Sequence, residues 1–220
     1  MNRIKTKDYG NGAKSIMLLA HGAGAPMDSS FMEMLSAALE RQAIATVRFE
    51  FPYMVRRRED GRKRPPDRMP VLLDSFRAEV AGVREEVGPG CPVLVGGKSM
   101  GGRVASMLAS EEALDISGVV CFGYPFHPPG KLDRWRIDHF SFISCPLMIV
   151  QGTRDPFGKP DEIAAQGELQ GLSRLCWLDG GNHDFQTPAK HPDTQAMLIE
   201  RAAVETGRFV QELLAGSGAG

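Results

Sequence analysis

The sequence carries almost no excess of charge of either sign, and this argues against several kinds of partner. Its 220 residues include 26 Lys and Arg against 27 Asp and Glu, for a formal net charge of −1. No global electric field therefore favours nucleic acid or an anionic membrane. No apolar run approaches the roughly 18 residues that a membrane span needs, and residues 1–10 lack the apolar core of a secretion signal. We expect a cytoplasmic protein that binds neither nucleic acid nor membrane.

Metal and redox sites also lack their usual sequence patterns. The four cysteines have neither the spacing of zinc ligands nor that of a redox pair, and each lies beside or within an apolar run. They are Cys91, Cys121, Cys145 and Cys176. The run Gly97-Lys98-Ser99 lacks the upstream glycine of a phosphate-binding loop. The sequence therefore predicts reduced, buried thiols, no metal and no cofactor.

What the sequence does contain is an alternation of short apolar runs and longer segments with helical periodicity. Such an alternation is typical of a parallel sheet that helices cover on both faces. With 42% hydrophobic residues, the chain can bury one substantial core. We predict an α/β fold with a single domain over residues 1–220, a mostly parallel sheet of about six to seven strands, and a flexible tail over residues 216–220.

The positions of these elements follow from local patterns. Strands are predicted at residues 15–20, 45–49, 92–95, 118–122, 146–150 and 174–178. Helices are predicted at residues 29–42, 72–87 and 196–214, with one more following residue 104. Residues 56–68 are basic and contain prolines, which predicts a surface loop. This loop is interpreted as solvated, although binding of an anionic group stays open.

One motif points to nucleophilic catalysis. After the strand at residues 92–95, Gly97-Lys98-Ser99-Met100-Gly101 fits the pattern G-x-S-x-G. A serine on a sharp turn between strand and helix adopts a strained backbone, and small residues two positions away on either side avoid collisions. The pattern alone is weak, and a plain turn is the alternative. Its place between an apolar strand and a helix makes Ser99 the predicted nucleophile.

With this motif the chain resembles the α/β-hydrolase superfamily, in its small dienelactone-hydrolase-like branch without a large lid domain. More narrowly, residues 19–24, 48–53 and 151–158 resemble a bacterial and animal group related to testis-expressed protein thirty. The resemblance implies an α/β-hydrolase fold over nearly the whole chain. The nucleophile is serine here where dienelactone hydrolases use cysteine, so their specific substrate is not carried over.

A serine nucleophile needs a base and a carboxylate that orients the base. Asp155 follows the strand at residues 146–150, and His183 lies in a glycine-rich segment after the strand at residues 174–178. The order Ser, Asp, His is that of the superfamily. Asp155 can also be an ordinary turn residue before Pro156, and Asp179 is kept as an alternative acid. The remaining histidines are interpreted as solvated or structural, apart from the contribution of His21 to the loop described next.

Backbone donors for the oxyanion are predicted at two places. Met100 follows the nucleophile and begins a helix, whose positive N-terminal end favours negative charge. Residues 21–24, His-Gly-Ala-Gly, resemble the oxyanion loop of the superfamily, with Ala23 as the candidate donor and Gly24 as the second possibility. A plain glycine turn is the alternative for this segment.

The site is predicted to be open, because only residues 123–145 separate two strands at the place where larger relatives insert a lid. Tyr53, Lys98, Tyr124 and Phe126 are the candidate substrate-binding residues. The sequence predicts a serine hydrolase that acts on a small soluble ester or thioester. A peptidase or acyltransferase with the same triad, and a non-catalytic interaction module on a hydrolase scaffold, are the alternatives. A monomer or homodimer is expected.

Overall fold

The computed structural model describes residues 3–9, 13–111 and 114–217, which fold into alternating strands and helices. The strands are β1 (Arg3–Lys5), β2 (Ser15–Ala20), β3 (Ile44–Phe49), β4 (Val93–Lys98), β5 (Gly118–Phe122), β6 (Leu147–Gly152) and β7 (Leu172–Leu178). The helices are α1 (Ser30–Glu40), α2 (Pro52–Asp60), α3 (Met69–Val87), α4 (Met100–Glu111), α5 (Pro160–Ala164) and α6 (Gln195–Ser217). A short 3₁₀ helix, Phe140–Phe142, lies between β5 and β6.

The seven strands form one sheet in the order β1-β3-β2-β4-β5-β6-β7. Strands β2 to β7 are parallel, and β1 pairs antiparallel with β3. From β2 the chain first adds β3 on one side and then crosses to β4 on the other. The connections that leave the carboxyl ends of β2 and β4 therefore diverge, and such a reversal opens a crevice at that edge of an α/β sheet.

Helices cover both faces of the sheet, as predicted. Along β2, Ile16 and Leu18 face a core that includes α3 and α4, whereas Met17 and Leu19 face a core that includes α1 and α6. This alternation follows from the two-residue period of a strand. Because both faces are covered, β2 to β6 are buried at every position. Such strands consist of nearly continuous apolar runs, which explains why they could be located from the sequence.

The basic segment is not the continuous loop that was predicted. Residues 52–60 form α2, which begins with Pro52 at its first turn and ends at Gly61 in the left-handed conformation with φ of 70°. Only the part after α2 is irregular. Ion pairs join Arg56 to Asp67 at 2.5 Å, and they join Arg58 to Glu50 and Asp28, and Arg64 to Asp60. These carboxylates offset much of the positive charge of the segment.

Besides α2, the elements β1 and α5 were not predicted, and α6 extends further than expected. Strand β1 is short and polar at both ends, and α5 has only one turn. Helix α6 continues to Ser217, so the start of the predicted tail is helical, and residues 218–220 lie outside the described residues. All four cysteines are free, but only Cys121 is buried and the other three are half-buried. Within the described residues, no helix has the length and apolar character needed to cross a bilayer.

Candidate active site

Ser99 lies on a tight turn between β4 and α4. Its φ of 52° is in the left-handed region, which is a strained conformation for a residue other than glycine. The backbone N–H of Ser99 donates to the carbonyl oxygen of Phe122 at 3.0 Å. A Cβ atom added to Gly97 or to Gly101 would lie 2.5 Å from the carbonyl oxygen of Ala20. The two glycines are therefore required by the close approach of this turn, residues 97–101, to the end of β2.

Three side chains from distant parts of the chain form one chain of hydrogen bonds. His183 Nε2 lies 2.8 Å from Ser99 Oγ, and His183 Nδ1 lies 2.8 Å from Asp155 Oδ2. A carboxylate only accepts hydrogen bonds, so Nδ1 carries the imidazole proton. Nε2 is then the acceptor that faces the serine hydroxyl. This is the geometry that a general base needs to remove a proton from a serine.

Asp155 is held firmly in place. It is fully buried, and its Oδ1 accepts a hydrogen bond from the N–H of Phe157 at 2.9 Å. Its Oδ2 accepts a second bond, from Gln151 Nε2 at 3.0 Å. Gln151 was missed by the sequence analysis, although a polar residue near the end of an otherwise apolar strand is a usable signal. The aspartate is thereby oriented from three sides, with His183 on the third.

Close backbone contacts also place the histidine. His183 lies in residues 180–185, which follow β7, and its ring lies 4.4 Å from the ring of Phe157 between centroids. A Cβ atom added to Gly152 would overlap the carbonyl oxygen of Gly181, and one added to Gly123 would lie 2.9 Å from that of His183. The position just after β5 and the last position of β6 must therefore be glycine for residues 180–185 to reach Ser99.

A cleft of about 340 Å³ opens beside Ser99. Its walls come from the segment after β2, the start of α1, the end of β4 and the loops that carry Asp155 and His183. The lining residues are Gly22, Ala23, Gly24, Ala25, Ser29, Phe31, Met32, Lys98, Ser99, Phe157, His183 and Asp184. The cleft is small and mostly apolar, and the serine and histidine face it directly.

Lys98 lies in the cleft wall next to the nucleophile. It is 6% exposed, and its Nζ lies 3.2 Å from Asp184 Oδ1 and 5.4 Å from the centre of the Phe31 ring. Burial lowers the pKa of Lys98, and the charge of Asp184 opposes that shift. The structure thus places Lys98 where a substrate could meet it, and its role in binding stays a prediction.

The three aromatic residues predicted to bind substrate do not line the cleft. Tyr53, Tyr124 and Phe126 are fully buried in the core on the α3 and α4 side of the sheet. The two tyrosine hydroxyls donate to backbone carbonyls, which allows these side chains to be buried without an unpaired polar group. The aromatic walls of the cleft are instead Phe31 and Phe157. Their direction toward the cleft depends on how α1 and the Asp155 loop pack, which no local pattern in the sequence reveals.

The candidate oxyanion donors lie on two sides of Ser99. Ala23 and Gly24 line the cleft, and Met100 is the first residue of α4. The first N–H groups of a helix have no partner within the helix, so the N–H of Met100 is available as a donor. We call residues 21–24 the glycine loop. A Cβ atom added to Gly22 would lie 3.8 Å from Ser99 Cβ, which shows how closely this loop approaches the serine.

The alternative acid Asp179, the neighbouring Asp184 and the other histidines take part in different contacts. Asp179 is 83% exposed in its side chain and lies 3.4 Å from His191, whereas Asp184 pairs with Lys98. Of the two roles that were left open for these histidines, solvated or structural, burial of His127 favours the structural one, and His139 lies 2.8 Å from the hydroxyl of Ser106. Of the candidate acids, Asp155 is therefore the one that contacts His183.

Comparison with known families assigns this fold to a protein family. A family model described as an alpha/beta hydrolase domain matches residues 13–211. The chain belongs to the α/β-hydrolase family. The narrower resemblance to the group of testis-expressed protein thirty stays a prediction.

Solved structures of other proteins share the fold of this hydrolase. Est1E from Butyrivibrio proteoclasticus is 15% identical, with a TM-score of 0.71 over 97% of this chain and 94% of that one. A dienelactone hydrolase from Anabaena variabilis is 21% identical, with a TM-score of 0.67 over 88% and 86% of the two chains. A serine hydrolase without lid from Xanthomonas campestris is 19% identical, with a TM-score of 0.59 over 91% and 81%.

Proposed function

We propose that this α/β hydrolase is a serine hydrolase that cleaves a small soluble carboxylic ester or thioester through an acyl-enzyme. The observation that carries the proposal is the hydrogen-bond chain from Asp155 through His183 to Ser99, with 2.8 Å at each step, at the wall of a cleft. A serine hydroxyl is a weak nucleophile, and it needs such a base and orienting carboxylate.

The reaction follows from this geometry. His183 Nε2 takes the proton of Ser99 Oγ as the oxygen attacks the carbonyl carbon, and the carbonyl oxygen becomes an oxyanion. The oxyanion accepts hydrogen bonds from backbone N–H groups at Ala23 or Gly24 and at Met100. The imidazolium then gives its proton to the leaving alcohol or thiol. Water attacks the acyl-enzyme by the same route, and Ser99 recovers its proton as the acid leaves.

The cleft supports a short acyl group. Its volume of about 340 Å³ is near the lower end of the range for small-molecule sites. The segment between β5 and β6 has a single 3₁₀ turn and contributes no residue to the lining of the cleft among the described residues. Phe31, Met32 and Phe157 offer apolar surface for the acyl chain, and Lys98 offers a cation for a polar substituent.

A panel of substrates tests the proposal. It contains nitrophenyl esters from acetyl to decanoyl, a short acyl thioester, methyl ferulate and a peptide anilide. Methyl ferulate is included because Est1E has been solved with ferulic acid bound. We expect the short esters or thioester to be turned over fastest, and Ser99→Ala to lower kcat at least about 10³-fold.

The other possible outcomes of this panel would each favour a different function. A preference that rises beyond octanoyl would contradict the small open cleft. Faster cleavage of the anilide would favour the peptidase alternative, and transfer of the acyl group to an added amine or alcohol would favour the acyltransferase. Equal rates for the wild type and Ser99→Ala would refute the hydrolase and favour an interaction module.

A further inference from the structure

Three backbone carbonyls of the glycine loop, those of Gly22, Ala23 and Gly24, contact side-chain donors. His21 Nδ1 lies 2.7 Å from the carbonyl oxygen of Gly22. The Tyr53 hydroxyl donates to the carbonyl oxygen of Ala23 at 3.0 Å, with a longer contact of 3.4 Å to that of Gly22. Arg57 reaches the carbonyl oxygen of Gly24 at 3.4 Å. Two of these three donors come from α2, which otherwise makes no part of the cleft wall among the described residues.

The protonation of the two buried donors is fixed by their surroundings. The N–H of Phe51 donates to His21 Nε2 at 3.2 Å, so the proton of the neutral ring is on Nδ1, which faces Gly22. Burial raises the pKa of Tyr53, so its hydroxyl keeps its proton and acts as a donor. Both side chains are fully buried, and the two bonds are half-buried, so water has only limited access to them.

These bonds determine where the N–H groups of the loop point. In a trans peptide the carbonyl and the following N–H lie on opposite sides of the chain. A carbonyl of Gly22 that faces His21 therefore turns the N–H of Ala23 away from the core, and a carbonyl of Ala23 that faces Tyr53 turns the N–H of Gly24 the same way. The opposite side is the cleft, which both residues line. No acceptor among the described residues bonds to either N–H.

We propose that Tyr53 is a positioning residue for catalysis, whose hydroxyl holds the glycine loop so that the N–H groups of Ala23 and Gly24 face the oxyanion. This inference rests on the proposed serine-hydrolase function. Tyr53 does not line the cleft, and it acts on the reaction through the loop. Preorganised donors need no rearrangement as the charge develops, which is where their catalytic effect comes from.

A purely structural tyrosine would behave differently, and the chain contains a matched control. Tyr124 is also fully buried, and its hydroxyl donates to a backbone carbonyl, that of Arg136 at 2.7 Å. That carbonyl lies outside the glycine loop. Both hydrogen bonds are half-buried, and removing either hydroxyl leaves one carbonyl without its donor, so both variants should lose a similar amount of stability. Only Tyr53 should affect the transition state.

The experiment compares Tyr53→Phe, Tyr124→Phe and wild type in full-length protein. Turnover of a short nitrophenyl ester, the rate of Ser99 labelling by a fluorophosphonate probe, and thermal unfolding are measured for each. We expect Tyr53→Phe to lower both kcat and the labelling rate about tenfold or more, with KM changed less than about twofold. Tyr124→Phe should keep wild-type kcat. Arg57→Met, at a half-buried position, should lower kcat by a smaller factor without affecting folding.

The result that would overturn the inference is equal kcat for Tyr53→Phe and Tyr124→Phe in protein whose wild type shows turnover that depends on Ser99. That outcome leaves the hydrolase function intact and makes Tyr53 a core residue only. If the wild type is no faster than Ser99→Ala, the proposed function fails, and the inference fails with it. The two failures are therefore distinguished by the Ser99→Ala arm.

Discussion

The turn at residues 97–101 and the glycine loop at residues 21–24 lie side by side, yet they are held in different ways. In the turn, the backbone packs so closely that a Cβ atom on Gly101 would lie 2.5 Å from the carbonyl oxygen of Ala20. In the glycine loop, Gly24 has no atom within 4 Å of where its Cβ would lie. That loop depends on hydrogen bonds from side chains such as Tyr53.

The difference teaches which changes each region tolerates. A region held by backbone contact has no flexible side chain that can move aside, so added volume displaces the strands or the nucleophile. A region held by hydrogen bonds loses its position in steps, one bond at a time. The turn should therefore respond to substitution in an all-or-none manner, whereas the glycine loop should respond gradually.

The largest effect is expected for Gly101→Ala. Its Cβ atom would press on the backbone of Ala20 and His21, and we expect a loss of about 3 kcal/mol in the free energy of unfolding, together with loss of at least about 10²-fold in kcat. Urea unfolding and ester turnover measure both. Gly24→Ala is the matched control and should change stability by less than about 0.5 kcal/mol. Equal stability of the two variants would refute the claim that backbone contact holds the turn at residues 97–101 but not the glycine loop.

Gly152→Ala tests whether residues 180–185, which carry His183, are also held in place by close backbone contact. The added Cβ would overlap the carbonyl oxygen of Gly181 and displace residues 180–185, which carry His183. We expect kcat to fall about 10²-fold, because a shift of about 1 Å in a catalytic group has an effect of this size. Gly90→Ala, with nothing within 4 Å, is the control for steady-state kinetics. Unchanged turnover in Gly152→Ala would show that the loop adapts.

Gln151→Met tests the loss of side-chain hydrogen bonds rather than the addition of volume, because Met lacks the amide group of Gln and has a similar size. Gln151 donates to Asp155 at 3.0 Å and accepts from the N–H of Tyr124 at 2.7 Å. We expect a graded loss of about tenfold in kcat, with about 1–3 kcal/mol lost in stability. Kinetics and urea unfolding of the same preparation check both values. A loss in kcat as large as that of Gly101→Ala would contradict the expected difference between positions held by backbone contact and positions held by hydrogen bonds.

The smallest effect concerns pH. Burial lowers the pKa of His21 below its ordinary 6.5, while Glu50 opposes and Arg58 reinforces that shift. The unfolded chain therefore binds a proton that the folded chain does not, and stability falls as the pH drops below 6.5, by at most about 1.4 kcal/mol per pH unit for this group. His21→Gln should reduce this slope between pH 6.5 and 5, as measured by urea unfolding. If the unfolding free energy of His21→Gln depended on pH as that of the wild type does, the lowered pKa of His21 in the folded state would be contradicted.

His139 is the matched comparison that separates an effect on stability from an effect on kcat. Burial lowers the pKa of His139 to about 4, so it also favours a neutral ring in the folded state. It lies beside Ser106 in α4, outside the glycine loop. His139→Gln should reduce the dependence of stability on pH and leave kcat unchanged. His21→Gln should reduce that dependence and also lower kcat, because His21 holds the carbonyl of Gly22 in the glycine loop.

The sequence predicted those parts of the fold and site that depend on local patterns. The buried parallel strands are continuous apolar runs, and β2 and β5 were located to the residue. Ser99, Asp155 and His183 each follow a strand, and parallel strands bring their carboxyl ends to one edge. The hydrogen bonds between these three side chains agree with that expectation.

The parts that could not be predicted depend on packing between elements. Tyr53 and Phe157 each lie a few residues after a strand, yet Tyr53 turns toward the core and Phe157 toward the cleft, because the segments that follow the two strands take different paths. Strand β1 is held by pairing with β3 and by ion pairs to α3, such as Arg3 with Glu79 at 2.5 Å, rather than by an apolar pattern of its own. Such contacts join residues far apart in the sequence.

The most direct test of the central claim is covalent labelling by a fluorophosphonate probe, followed by intact mass and peptide mapping, for the wild type, Ser99→Ala and His183→Ala. The hydrogen-bond chain predicts one adduct on the wild type, located on Ser99, and no adduct on either variant in the same time. A folded wild type that stays unlabelled, or an adduct that persists in Ser99→Ala, would contradict the assignment of Ser99 as an activated nucleophile.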